Sequence, residues 1–508
     1  MYIKYLNNFV RLGYFVIILV ILLAIFFSND IEYKTKLAES QYNFYLFSAG
    51  AVFLIAILFL SKFIDKAFSN KTIKFLYLFQ GLIFIFHNFI IYNYYFLTDW
   101  DVRDILIAAQ NLAVEGKIKN VEYFSQYPNN IFIVWIFAGI IKFSNLLGLE
   151  NYNYFILLSI MAGLYNFVAI IVYKTSRILF KNREYSILTY IYYNLLVMFS
   201  PWVSIPYSDS LGLIFPISIL YLYLRYLKIG KFSYGYVILI ALLAYFSLAI
   251  KPQSFLIFIA IIIYEIFRER NIQEKFKFIL LAVFLVFSCS QVQKFTITEK
   301  SGIDKEKSVG ILHFVKMGLN NQTNGIYYYP DVKESISYET REERNYYNLL
   351  EIENRIEKFG ITGLSNHVLK KILINYNDGT FAWGVEGEFY REILKEKSLI
   401  SKFFRSIYYS NGENYKYFVI VSQANWLVVL AFTIFSISIS SKEKEIYLIQ
   451  LTLIALFLFL IIFEARSRYL FTNLPLFIIL FVYSIKNLEY YIKGVYVRVT
   501  KLTKKEEV

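Results

Sequence analysis

One cysteine and three histidines in 508 residues leave little room for thiol or imidazole chemistry. Cys289 has no second cysteine to pair with, so an internal disulfide is excluded, as is a thiolate set for zinc or an iron–sulfur cluster. His87, His313 and His367 share no local spacing that would bring two imidazoles to one metal. No internal repeat or low-complexity tract is evident. The first apolar run, 12–28, ends in FFSND with no small-residue cleavage motif, so it reads as a retained anchor and not as a removed signal peptide.

What the chain has in excess is apolar surface. It is 57% hydrophobic, against about 45–50% in soluble domains, and its mean hydropathy is +0.48. Apolar runs of about 17–23 residues recur, the length that crosses a hydrocarbon core as helix. The formal charge of +14 is unevenly spread. Segment 294–416 holds 18 Lys/Arg and 17 Asp/Glu, so the excess lies almost wholly in short connectors and the tail. That is a topology signal and an attraction to anionic lipid headgroups, not a nucleic-acid footprint.

Spans are predicted at 12–28, 44–60 and 75–97, with Lys62, Lys66, Lys71 and Lys74 in a cytoplasmic connector. Two further runs, 131–147 and 150–172, are both apolar enough to cross. If both did, the connector with Lys174, Arg177, Lys181 and Arg183 would lie outside, against the positive-inside bias. The 131–147 run is short, carries Lys142 and follows Pro128, so it is expected to be re-entrant or interfacial. Spans at 185–200, 210–226, 233–249, 254–267, 276–293, 417–438, 446–463 and 469–485 complete a set of twelve crossings, with both termini cytoplasmic. The expected fold is thus an all-α polytopic bundle. Its parts are an N-terminal pair (1–74), a core (75–293) with a first outer loop at 98–149, and a mostly helical extracytoplasmic loop domain (294–416). C-terminal spans (417–485) and a basic tail (486–508) follow.

Under this topology several polar groups share the outer face. TDWDVRD brings Asp99, Asp101 and Asp104 to the lip of a span, where an acidic cluster is costly to desolvate. The structural alternative is that these aspartates cap the following helix. PWVSIPYSDS carries Asp209, LAIKPQS carries Lys251, and FEARSRYLF carries Glu464, Arg466 and Arg468. Taken singly, Asp209 reads equally as a cap, Lys251 as a snorkelling lysine and the arginines as span anchors. Together, cations that break the positive-inside bias call for an anionic partner, and a lipid phosphate suits the donor fork of arginine. A carboxylate beside such a set suggests group transfer from a lipid phosphate. The carboxylate would take the proton of an attacking hydroxyl, the phosphate would depart, and the anomeric centre would invert.

The segments TDWDVRDILIAAQNLA, QYPNN, PYSDS, HFVKMGLNNQTNGIYYYPD, DGTFAWGVEGEF and EARSRYLF, in that order, carry a resemblance. The chain resembles bacterial members of the GT-C superfamily of membrane glycosyltransferases. It is most similar to the exosortase-G-associated glycosyltransferases of Gram-positive bacteria. The resemblance runs from about 75 to 485, and the first two spans read as an addition to the shared core. It implies a GT-C-like bundle with juxtamembrane helices in the first outer loop and a polyprenyl-phosphate-linked sugar donor used outside the cytoplasm. The acceptor would be a cell-envelope glycan, lipid or protein, and membrane lipids would surround the site. It further implies Asp101 as the base, with Asp99 next in line, and Asp209 as the second acidic position. Arg466, Arg468 and Lys251 would hold the donor phosphate. Some relatives hold a divalent cation (Mg or Mn), which would fall to Asp101 and Asp209. A polymerase or a flippase of lipid-linked saccharides is the alternative function, although a flippase would need ionisable groups near the midplane, where His87 is the main one.

Overall fold

The computed structural model describes residues 2–28, 40–94, 96–387, 390–393, 398–438 and 445–506. Asn29 and Asp30 of FFSND, and Glu388 and Phe389 of DGTFAWGVEGEF, lie outside them. The architecture is a helical bundle, as an apolar chain must adopt when lipid offers no partner for free backbone groups. Among the described residues nine helices are long and apolar enough to cross a membrane, with three shorter apolar ones at Tyr234–Ile250, Pro252–Phe267 and Ile446–Ile462. The peripheral spans expose most of their apolar surface: only 17% of the window in Ile272–Thr298 and 22% in Tyr42–Phe68 is buried by protein, which leaves the rest for lipid. Ser467–Ile492, 94% buried, is the central post of the bundle. A two-stranded antiparallel ribbon, Phe96–Thr98 with Tyr390–Ile393, is the one sheet among the described residues.

Side-chain pairs fix which connectors share an end. Arg183 pairs with Asp65 and donates to the Ser69 carbonyl (2.7 Å), and Lys62 lies 3.7 Å from Glu184. The Tyr185 hydroxyl bonds Glu489. Connectors 61–74 and 181–184 and the start of the tail therefore meet at one basic end. Pro128–Leu146 is long and apolar enough to cross, but one more crossing would have put the first two connectors at opposite ends. It makes no net pass. It is also not re-entrant: Ile131–Leu146 is an unbroken helix, packed along Trp100–Glu115 and against Asn153–Phe180. Pro128 starts this unit instead of breaking it, because proline at a first turn forfeits no helical hydrogen bond.

The other eight long helices, the three shorter ones and the stretch 183–198 make twelve passes between the ends. Residues 183–198 are too polar to qualify by composition and divide into Arg183–Tyr193 and a π-turn, Asn194–Met198. Their tyrosines, serine and threonine are buried against other helices, so the pass is made through protein. The first two helices are not a free-standing pair. Tyr2–Phe27 packs on Ile446–Ile462, and Ser40–Phe68 on Tyr415–Thr433.

Segment 294–416 is mostly helical, with Gly310–Gly318, Tyr329–Ser337, Arg341–Tyr376 and Leu399–Tyr408. Arg341–Tyr376 starts at a capping box, in which Thr340 accepts from the Glu343 amide and Glu343 accepts from the Thr340 amide. It kinks at Gly360 and drives its last turn, with Lys371 and Asn375, into the bundle.

Candidate active site

At the end opposite the basic connectors, five chain segments converge. Asp101 stands in the first turn of Trp100–Glu115, where the helix dipole favours a carboxylate. The Tyr207 hydroxyl donates to Asp101 Oδ2 (2.9 Å), and the Tyr123 phenol lies close to the same carboxylate. Both phenols are pushed up by burial, and nearby Asp101 raises them further, so they stay protonated donors. Asn130 donates to the Tyr123 hydroxyl (2.8 Å) and orients it. Asp101 remains partly exposed.

Asp99 is not brought in. It occupies the N-cap position without making a capping bond, and its half-exposed carboxylate pairs with Arg103 of its own helix (3.2 Å). Asp104 accepts from Asn120 (3.0 Å), and burial raises its carboxyl above the ordinary value.

Asp209 lies on the short helix Ser208–Gly212 and is 1% exposed. Lys251 Nζ is 2.8 Å from its Oδ1, and Arg468 Nε is 3.7 Å from its Oδ2. Lys251 sits in the extended break between Tyr234–Ile250 and Pro252, which aims it inward instead of along the membrane surface. Gly212 permits this approach, since a Cβ there would stand 3.0 Å from Thr472 and 3.2 Å from the Lys251 Cβ. Burial pulls the Lys251 ammonium down, and Asp209 opposes that.

The arginines complete the set. Arg468 Nε is 3.0 Å from Glu386 Oε2, and its guanidinium lies over Trp100 (4.7 Å), Tyr207 (5.4 Å) and Tyr469 (5.4 Å). Arg466 pairs with Glu386 and, at 3.0 Å, with Glu464. Glu386 and Asp209 offset the buried charge of Arg468. Three cations thus face three carboxylates in a place nearly closed to water, where each unpaired charge would cost several kcal/mol.

The arginine loop is pinned from the segment that precedes it in the fold. The Ala465 amide donates to the Gly325 carbonyl (2.8 Å), and the Arg466 amide to Asn375 Oδ1 (2.8 Å). Lys371 Nζ donates to the carbonyls of Gly318 (2.9 Å), Ile461 (2.7 Å) and Phe463 (2.6 Å). Ser467 donates to Asp378 (2.9 Å), whose oxygens also accept from Thr380 and Ala382. Trp202 ties the Asp209 segment to the same turn through the Phe381 carbonyl (3.0 Å). The ribbon 96–98/390–393 links the strand before Asp101 to the segment after Glu386.

The residues do not fit a divalent cation. Among the described residues no three His, Cys, Asp or Glu side chains come together in a way that could hold one. Asp209, the second expected ligand, turns both oxygens to Lys251 and Arg468, whose charges would repel a metal.

Asp101, Asp209, Lys251, Arg466 and Arg468 were all legible as site candidates. Tyr207, Tyr123 and Glu386 were not. Tyr207 lies two residues from Asp209 in PYSDS, and nothing in that spacing marks a tyrosine as the link between an aspartate and a cation set. Glu386 is one of two glutamates in WGVEGEF, and only the π-turn Trp383–Gly387 selects it.

No curated protein matches the chain. A family profile does match residues 2–488, nearly the whole chain. The chain therefore belongs to the family described as conserved hypothetical integral membrane protein.

Proposed function

We propose that this protein is an integral-membrane glycosyltransferase that takes a sugar from a polyprenyl-phosphate carrier and passes it to a cell-envelope acceptor. The observation that carries this is Tyr207. Its hydroxyl binds the partly exposed Asp101, while its ring lies beside the ammonium of Lys251 (5.6 Å) and the guanidinium of Arg468. A candidate base and a candidate phosphate site are thereby adjacent. The positive-inside bias of the basic end supports an extracytoplasmic site.

In the proposed reaction the acceptor hydroxyl gives its proton to Asp101 as its oxygen attacks the anomeric carbon. The bond from that carbon to the phosphate oxygen breaks, and the electron pair leaves with polyprenyl phosphate. Arg468, Arg466 and Lys251 stabilise the charge on the departing group, so neither a general acid nor a metal ion is required. Attack from the opposite face inverts the centre.

The test is transfer by purified protein in lipid nanodiscs, supplied with radiolabelled polyprenyl-phospho-sugars and envelope extract. Labelled glycan and free polyprenyl phosphate are expected. Asp101→Asn should lower the rate by about 10²-fold or more with unchanged yield of folded protein. Transbilayer movement of the carrier without chemistry would replace this reading with that of a flippase. Consumption of diphosphate-linked repeat units would replace it with that of a polymerase.

A further inference from the structure

We infer that Glu386 is a resident stand-in for the donor's phosphate, a carboxylate that the bound substrate displaces and that restricts the site to a singly charged phosphodiester. This rests on the proposal that Arg466 and Arg468 hold the donor. Glu386 is 6% exposed and bridges the two arginines, the position a phosphate would take between them. The fit is incomplete. Arg468 Nη1 is buried with no hydrogen-bond partner, and neither oxygen of Glu386 has hydrogen-bond geometry toward the arginines it pairs with. Coulombic attraction holds the carboxylate, while part of the guanidinium's donor fork stays unused. A tetrahedral phosphate offers the additional acceptors.

The charges point the same way. Lys251, Arg466 and Arg468 are already balanced by Asp209, Glu386 and Glu464. A phosphodiester entering beside all three carboxylates would leave the site with an uncompensated negative charge in a low-dielectric place. Exchange of one carboxylate for one phosphodiester restores the balance. A diphosphate would not, since it brings more charge than Glu386 removes.

Glu386 is also the member of the carboxylate trio mounted on strained backbone. Phe381 (φ 56°) and Ala382 (φ 63°) are consecutive left-handed residues without the freedom of glycine, and the π-turn follows them. Asp378 accepts from the Ala382 amide (2.6 Å) and keeps this turn in place. Glu386 therefore hangs from a strained turn that Asp378 holds in place.

Binding of geranylgeranyl methyl phosphate, a singly charged diester, and of geranylgeranyl diphosphate is measured for the parent and for Glu386→Gln in nanodiscs. Glutamine keeps size and one acceptor but drops the charge. The variant is expected to bind the diester about tenfold tighter, an effect of roughly one charge-assisted hydrogen bond, and to gain more for the diphosphate. Equal or weaker binding by the variant overturns the inference and leaves the phosphate reading intact. Binding by neither protein overturns both. If Glu386→Gln does not fold, a second measurement decides with Glu386 in place. In a Cys289→Ala background, thiol labelling of Val385→Cys should rise several-fold on addition of the diester, and unchanged labelling overturns displacement.

Discussion

At the scale of single residues, the geometry separates groups that look alike in sequence. Asp99 and Asp101 are two positions apart, yet one pairs with Arg103 at the surface and the other faces Tyr207 and Tyr123. Asp99→Asn should consequently leave sugar transfer within about twofold of the parent, since exposed ion pairs of this kind contribute little. A large loss in that variant, with Asp101→Asn active, would move the proposed base two residues upstream. Tyr207→Phe removes one hydrogen bond to Asp101 and keeps the ring beside the cations. Its turnover number should fall about tenfold, the size of one hydrogen bond to a charged group, with donor saturation unchanged. A defect confined to donor saturation would instead make Tyr207 part of the phosphate site. At Arg468, lysine keeps the charge but loses the planar fork that serves Glu386 and Asp209 on one edge and Trp100 on its face. Arg468→Lys should weaken use of the donor by about 1–3 kcal/mol, read from donor-concentration dependence. Saturation like the parent's would make this arginine an anchor.

At the scale of elements, the site depends on how the 310–376 helices grip the arginine loop. Gly318 lies against that loop so closely that a Cβ would stand 2.5 Å from the Ile462 carbonyl oxygen and 2.7 Å from that of Phe463. Gly318→Ala must push the two segments apart. It should cost about 1–3 kcal/mol of stability and weaken donor binding through displaced Arg466, measurable as a lower unfolding temperature together with poorer saturation. A second contact gives these helices an acid limit. Burial alone would raise the Asp331 carboxyl, but the paired bonds from Arg355 (2.7 and 2.9 Å) and one from Asn320 overcome it, so the carboxyl sits below 3.8. A depressed carboxyl contributes stability that is fully present above the unfolded value and is lost as pH falls through the folded one. Thermal unfolding should therefore show a loss below about pH 3.8 that Asp331→Asn largely removes. An identical acid profile in both proteins would assign that loss to other carboxylates. This contact was out of reach of pattern reading. GLNNQTNGIYYYPD reads as a turn-rich loop, and only the fold shows its glycines as the places where backbone meets backbone.

At the scale of the whole molecule, the twelve passes put the proposed chemistry at the end away from the basic connectors. Singly introduced cysteines at Asn129 and Leu149, in a Cys289→Ala background, should both react with a membrane-impermeant thiol reagent from outside. Reaction of Leu149→Cys only after permeabilisation would mean that Ile131–Leu146 crosses, against the Arg183–Asp65 pairing. What the amino-acid sequence determined by itself was the class of fold and the shared face of Asp101, Asp209, Lys251, Arg466 and Arg468. These follow from apolar run length and the placement of charge, and both are local properties of a chain in a bilayer. Only the tertiary structure decided that Asp101 and not Asp99 meets Tyr207, that Glu386 bridges the arginines, and that Asp209 serves Lys251 instead of a metal. Those choices depend on distances between segments far apart in the chain, and such distances are fixed by packing, which no local pattern encodes.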